Sequence, residues 1–488
     1  AQATPTPAAS PQDSKAAPAS KVERKGKAPL SKEILRVNLR KPVEATLDNG
    51  LTVLIMEDNR LPTVSMQLTI SGAGSLYEPT NLAGLAGITA QMLREGTKAR
   101  RSRQIAEEID RLGATLFASS GFGQVTTEFN ASGLSDNLDQ WVALATDVLL
   151  NPSFPAEELN KLKQRTKAEL QQQRSSPGFL ANERFRRALY GGHPAAVVSA
   201  TAESIDAMTL EILAKWHKER YAPQNAILGI AGDVRAAEVL PKLRLMLAGW
   251  QKTDFKEVLP ANAAAVTGKK IYLVNRPDSV QATVMMGNIA IDRRDPDYIP
   301  LTVMNRIIGG GPQSRLFINL REEKGYTYGA YSSFNALKYP GPWSASGDVR
   351  TEVAEGAMTE FFNEMRRIRE ERVPETELED AKRSVVANFA LSLENPAQLL
   401  GYAITRKLYG FPDDYWDTYP AKVLAVTPDD VQRVARKYVN SDAVQVVAVG
   451  DASRIKSVLE KYGPVEVYDA GGNLMGSGAP ASKTTPDR

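Results

Sequence analysis

Apolar and polar positions alternate with two clear periods along the chain. Leu61-Pro-Thr-Val-Ser-Met-Gln-Leu-Thr-Ile70 alternates with period two, the mark of a half-buried strand. Just upstream, Glu44-Ala-Thr-Leu-Asp-Asn-Gly-Leu-Thr-Val-Leu-Ile-Met56 sets an Asn-Gly turn between two β-rich runs, which predicts a hairpin. Leu85, Ile88 and Met92 then fall on one helical face, between Gly84 and Gly96. An adjoining face carries Gly87, Ala90 and Gln91, three small or neutral side chains. Further patterns predict helices over 103–112, 134–149, 157–174, 181–189 and 204–218, and strands over 115–120, 124–131 and 226–231.

The second half repeats this plan. Phe154-Pro-Ala-Glu-Glu158-Leu matches Val373-Pro-Glu-Thr-Glu377-Leu, and each begins a long helix that ends at a proline, Pro177 and Pro396. Both pairs of positions stand 219 residues apart. A period this long is no solenoid repeat; it predicts two copies of one α+β domain. The expected fold is a pair of homologous α/β-sandwich domains, each a mixed, mainly antiparallel sheet covered by helices. The expected boundaries are an N-terminal tail at 1–39, domains at 40–240 and 268–465, a linker at 241–267 and a C-terminal tail at 466–488.

Composition narrows the chemistry. The 60 basic and 57 acidic residues nearly cancel, so there is no electrostatic footprint for a nucleic-acid partner. With no cysteine, disulfides, thiolate metal sites and cysteine nucleophiles are excluded. His193 and His217 are the only histidines, and both read as structural or surface residues. No apolar run is long enough for a transmembrane helix. The first 30 residues, rich in Ala, Pro, Ser and Lys, read as a tail left by removal of a signal peptide. A periplasmic or otherwise exported protein is expected.

The stretch Gly84-Leu-Ala-Gly-Ile-Thr-Ala-Gln-Met-Leu-Arg-Glu-Gly-Thr97 resembles the zinc-binding helix of the insulinase–pitrilysin superfamily of inverted zinc peptidases. The likeness is to the branch of the mitochondrial processing peptidase and its bacterial relatives, and it covers about 40–465. The active signature is His-x-x-Glu-His: two histidines one turn apart clasp zinc and the glutamate acts as general base. Here Gly87 and Gln91 stand at the two histidine positions and Ala90 at the base. Glu169 lies where the resemblance implies a third ligand, but one carboxylate does not hold catalytic zinc. No cofactor is therefore expected in this chain.

A second likeness runs from Ile307 to Tyr328, a Gly309-Gly-Gly311 turn followed by Ser314-Arg-Leu-Phe317, Leu-Arg321-Glu and Gly325-x-x-Tyr328. The resemblance implies that Arg321 binds substrate and that Tyr328 stabilises the oxyanion, at a zinc site in another chain. The glycine turn, with no Gly-Lys-Ser/Thr after it, reads as helix termination and flexibility rather than a phosphate loop. The resemblance implies the metal-free subunit of a heteromeric peptidase acting on unfolded peptides. Its partner would be a homologous chain carrying the zinc motif, the two enclosing a clam-shell chamber. The alternatives are an inert scaffold or core subunit and a peptide-binding protein of the same fold.

Overall fold

The computed structural model describes residues 37–475. Most of the expected N-terminal tail, and residues 476–488 of the C-terminal one, fall outside this range. Two six-stranded mixed sheets organise the chain, as the α+β reading expects. The first is built from β1 (Val43–Thr46), β2 (Thr52–Glu57), β3 (Thr63–Ser71), β4 (Thr115–Ser119), β5 (Thr126–Leu134) and β6 (Ala226–Gly232), in the order β1-β2-β6-β3-β5-β4. The second is built from β7 (Lys270–Asn275), β8 (Gln281–Ile289), β9 (Thr327–Phe334), β10 (Pro342–Arg350), β11 (Gln445–Gly450) and β12 (Val465–Tyr468). Its order, β12-β7-β11-β8-β10-β9, repeats the topology of the first in five strands; the sixth differs, β1 lying antiparallel beside β2 and β12 parallel beside β7. β2–β6 and β7–β11 are parallel, whereas the β3–β5 and β8–β10 pairs are antiparallel. Buried apolar residues of each sheet and its helices form two separate cores.

Several elements differ from the sequence reading. Residues 204–218 are two helices, Ala202–Ala207 and Leu210–Arg220, because Met208 is extended and Thr209 caps the second by accepting from the Ile212 N–H. Leu134 closes β5, so the next α-helix begins only at Leu138. Pro177 and Pro396 do not belong to the helices before them; each opens the following helix at its first turn, where a missing N–H costs nothing. Ala236–Met246 is a helix with Val239 and Leu243 buried, ahead of the linker's extended stretch. Residues 466–475, read as tail, include most of β12 and a bridge between Tyr468 and Leu474. Val465 and Val467 pack against the second core, which anchors them there.

The two proline-initiated helices are exchanged between the domains. Leu180, Ala181, Phe185 and Leu189 of Pro177–Tyr190 pack on Val447 and Val449 of the second sheet. Reciprocally, Leu400, Ala403 and Ile404 of Pro396–Tyr409 pack on Leu54, Met56 and Ala231 of the first. Gly229 permits this approach, since a Cβ there would come within 2.7 Å of Leu400 Cδ1. Polar contacts tie the same seam. Lys338 of the second domain donates to Glu257 at 2.8 Å and to Ser71 at 2.7 Å, and Tyr77 donates to Glu257 at 2.7 Å. Burial alone would raise the Glu257 carboxyl, but Lys338, Tyr77 and Ser71 hold it below the usual range. Leu400 is fully buried, so Leu400→Ala should destabilise the protein by about 2–5 kcal/mol, read as a lower urea midpoint with the slope unchanged. A slope reduced to that of one domain would show that the exchanged helices do not couple the two.

Candidate functional site

The first candidate site is built on the helix Leu85–Met92. Leu85, Ile88 and Met92 are buried and hold it in the first core. Gly84, with φ of 96°, turns the chain into the helix. The Glu78 carboxylate accepts from the Gly84 N–H at 2.8 Å and the Ala86 N–H at 2.7 Å, satisfying donors that no helical carbonyl reaches. Gly87, Ala90 and Gln91 do not share one environment. Gly87 and Gln91 border a cavity of 210 Å³ together with Glu78 and Glu169. Ala90, fully buried, belongs to the core.

Glu169 projects from the helix Ala156–Gln173. Arg165, one turn earlier, reaches two of the three ligand positions, Gln91 and Glu169 itself. Its Nη2 donates to Gln91 Oε1 at 3.4 Å and its Nε lies 3.7 Å from Glu169 Oε1. A guanidinium thus stands where two ligands would face a dication. Gly87 offers no donor atom, Ala90 only a buried methyl, and the Gln91 oxygen already accepts from Arg165. These residues do not fit zinc. Among the described residues, no group of three His, Asp or Glu side chains is placed to hold a metal ion.

Burial pushes the Glu78 carboxyl from 4.5 up to about 7, outweighing the two backbone N–H groups that lower it. The folded state therefore binds more protons than the unfolded one between these values. Stability from this group is present below pH 4.5 and is lost as pH rises through about 7, by roughly 3 kcal/mol at most. Glu78→Gln should flatten that part of the thermal stability–pH profile. An unchanged slope between pH 5 and 8 would contradict the assignment.

The histidines lie elsewhere. His193 Nδ1 accepts from the Ala195 N–H at 3.1 Å in the loop after Tyr190. His217 Nε2 pairs with the Leu149 carbonyl at 2.8 Å, and burial lowers its pKa to about 4. His217 is therefore a half-buried structural group, packed beside Phe154 and Tyr221.

The second candidate site lies in the second domain. Arg321 occupies a π-helical turn, Ile318–Glu323, and Tyr328 begins the edge strand β9. Gly325, with φ of 63°, reverses the chain between them. The Arg321 guanidinium carbon sits 5.3 Å from the Tyr328 ring centre and 4.8 Å from that of Phe317. Arg321 Nη1 donates to Glu322 at 2.9 Å. Tyr328 is 88% exposed, so its hydroxyl points to no interior partner. Among the described residues, no hydrogen bond links the pair to the Leu85–Met92 helix.

Sequence reasoning missed Glu78 and Arg165, and named Phe317 without giving it a contact to Arg321. Arg165 and Phe317 were accessible as contacts from i,i+4 spacing, four residues before Glu169 and Arg321 respectively. Glu78 had only a general signal, an acid shortly before a helix N-terminus.

Two family models match the chain. One, described as insulinase (peptidase family M16), covers residues 52–199, and the other, described as peptidase M16 inactive domain, covers 207–385. An uncharacterized zinc protease of Rickettsia bellii is 26% identical over 409 residues, spanning 82% of this chain and 96% of the relative. One from Bacillus subtilis is 22% identical over 359 residues, 72% of this chain and 84% of its own. Among solved structures, a peptidase M16 inactive domain from Pseudomonas fluorescens superposes with a TM-score of 0.78 at 28% identity, over 84% of this chain and 98% of that one. A protease from Helicobacter pylori shares the fold, with a TM-score of 0.77 at 20% identity over 84% of this chain and 100% of its own. With two adjoining models of this family covering residues 52–199 and 207–385, and relatives matched over most of their own length, the chain belongs to the insulinase family, peptidase family M16.

Proposed function

We propose that this chain is the metal-free subunit of a two-chain zinc peptidase that degrades or processes unfolded peptides. The observation that carries the reading is the asymmetry between its two sites. The motif helix has lost both histidine positions and the base, whereas Arg321 is held against Tyr328 with the phenol exposed.

In this reading, zinc belongs to a homologous partner chain that carries the His-x-x-Glu-His motif. Tyr328 donates a hydrogen bond to the oxygen of the scissile carbonyl as negative charge develops there. Arg321 binds a neighbouring carbonyl or carboxylate, its plane fixed by the Phe317 and Tyr328 rings. Peptide is held in extended form by adding a strand to an exposed sheet edge. The edges β4 and β9 are each paired on one side only. An exported, periplasmic setting forms part of the same proposal.

The test is reconstitution. The chain alone should bind no stoichiometric zinc and cleave no unfolded peptide, and mixing it with a zinc-motif homologue from the same cell should restore cleavage. A homologue equally active without this chain would sink the proposal.

A further inference from the structure

The internal duplication places a second cavity in the second domain. It lies between the helices Tyr298–Ile308 and Glu375–Ser392, as the first lies between Leu85–Met92 and Ala156–Gln173. Its wall residues Val385, Asn388 and Phe389 stand 219 positions after Thr166, Glu169 and Leu170 of the first cavity. The chemistry of the two differs. The first, bordered by Glu78 and Glu169, is acidic. The second, of 390 Å³, is walled by Tyr298, Phe334, Phe389, Tyr402, Trp416 and Tyr419. Its one charged lining residue is Arg306.

Arg306 is seated by the glycine turn. Its Nη1 donates to the Gly310 carbonyl, and a Cβ on Gly311 would come within 2.6 Å of that nitrogen. Gly310 and Gly311 therefore make room for the Arg306 side chain as well as ending a helix. Among the described residues, Arg306 pairs with no carboxylate. A guanidinium carries five N–H donors and binds a carboxylate through two of them.

We propose that this cavity binds the C-terminal residue of a peptide, its aromatic side chain among the rings and its terminal carboxylate on Arg306. An internal aromatic residue brings no charge to match the guanidinium, an internal Asp or Glu brings no ring to fill the walls, and an N-terminal ammonium is repelled. The volume lies within the range of roughly 300–1,000 Å³ typical of small-ligand pockets. Aromatic walls favour an aromatic guest through offset and edge contacts. Phe334 lies on the same edge strand as Tyr328, six residues on, which is about 20 Å at the rise of a strand. One extended peptide therefore spans both places. The inference rests on the peptide-handling reading above and adds the class of chain end that it recognises.

The experiment titrates the full chain calorimetrically with an unstructured heptapeptide ending in phenylalanine, with its C-terminal amide, and with the analogue ending in alanine. The amide and the alanine analogue should each bind at least about ten-fold more weakly than the free acid, the size of one lost charged hydrogen bond or buried ring. Arg306→Gln should erase the difference between acid and amide. Thr302→Trp, which fills the cavity from a half-buried position on its wall, should weaken the acid to the level of the alanine analogue. Equal binding of acid and amide, or unchanged binding to a folded Thr302→Trp variant, would overturn the pocket. If reconstituted cleavage persists while that preference is absent, the pocket fails and the subunit reading stands. If the preference is present but no homologue restores cleavage, the pocket stands and the subunit reading fails.

Discussion

Tyr328→Phe is expected to lower turnover by the reconstituted peptidase about 100- to 1000-fold, the cost of removing one oxyanion-hole donor. The ring remains, so the packing against Arg321, at 5.3 Å from the ring centre, is kept and only the hydroxyl is lost. A side chain 88% exposed contributes little to folding, so the thermal midpoint of the chain should not move. The loss should fall on kcat with little change in KM, because the hydroxyl acts on charge that exists only in the transition state. Arg321→Ala should instead raise KM, since the guanidinium also holds the ground-state peptide. Turnover by the Tyr328→Phe variant equal to that of the natural chain would remove the hydroxyl from the chemistry and leave the pair a structural contact on an edge strand.

Restoring two histidines, Gly87→His with Gln91→His, is expected to create zinc binding that the natural chain lacks. The backbone allows it. A Cβ on Gly87 meets only the Ser120 carbonyl, at 3.2 Å, and Gln91 is already exposed. Glu169 borders the same cavity and supplies the third donor. Zinc at about a hundred times its dissociation constant should stabilise the double variant by about 2.7 kcal/mol and leave the natural chain unmoved. Arg165, whose Nε lies 3.7 Å from Glu169 Oε1, would repel a dication held there, so adding Arg165→Gln should tighten binding further. Ala90→Glu behaves differently, because a carboxylate there enters a fully buried core position and costs several kcal/mol. Zinc binding by the unmodified chain would contradict the assignment of these positions, as would a well-folded double variant that binds none.

What was legible in the sequence was local. The hairpin at Asn49-Gly50, the alternation through β3 and the helical face of Leu85, Ile88 and Met92 each occupy a few consecutive turns or pleats, and each appears where expected. The altered zinc motif and the Arg321–Tyr328 spacing are also short-range patterns, and the 219-residue repeat is a comparison of the chain with itself. A side chain's environment is not local in this way. Gly87, Ala90 and Gln91 look alike as a sequence triplet, yet one borders a cavity, one is sealed in the core and one accepts from Arg165.

The larger division lies at Pro177 and Pro396. Both prolines are plain in the sequence, yet the pattern alone attaches each to the helix before it, since proline ends one helix and starts the next with equal ease. Which sheet each following helix covers depends on which apolar surface it meets after some 200 residues of intervening chain. Its own amphipathic pattern is the same in either place. Composition and motif thus determined the family, the fold class and the absence of histidine and glutamate at the two ligand positions and the base position of the motif helix. Only the tertiary structure decided that the two domains exchange helices, that Glu78 holds the motif helix, and that the duplicated cavity carries aromatic rings and a guanidinium instead of acids. Those outcomes depend on burial and on contacts between residues far apart in sequence, which no window along the chain contains.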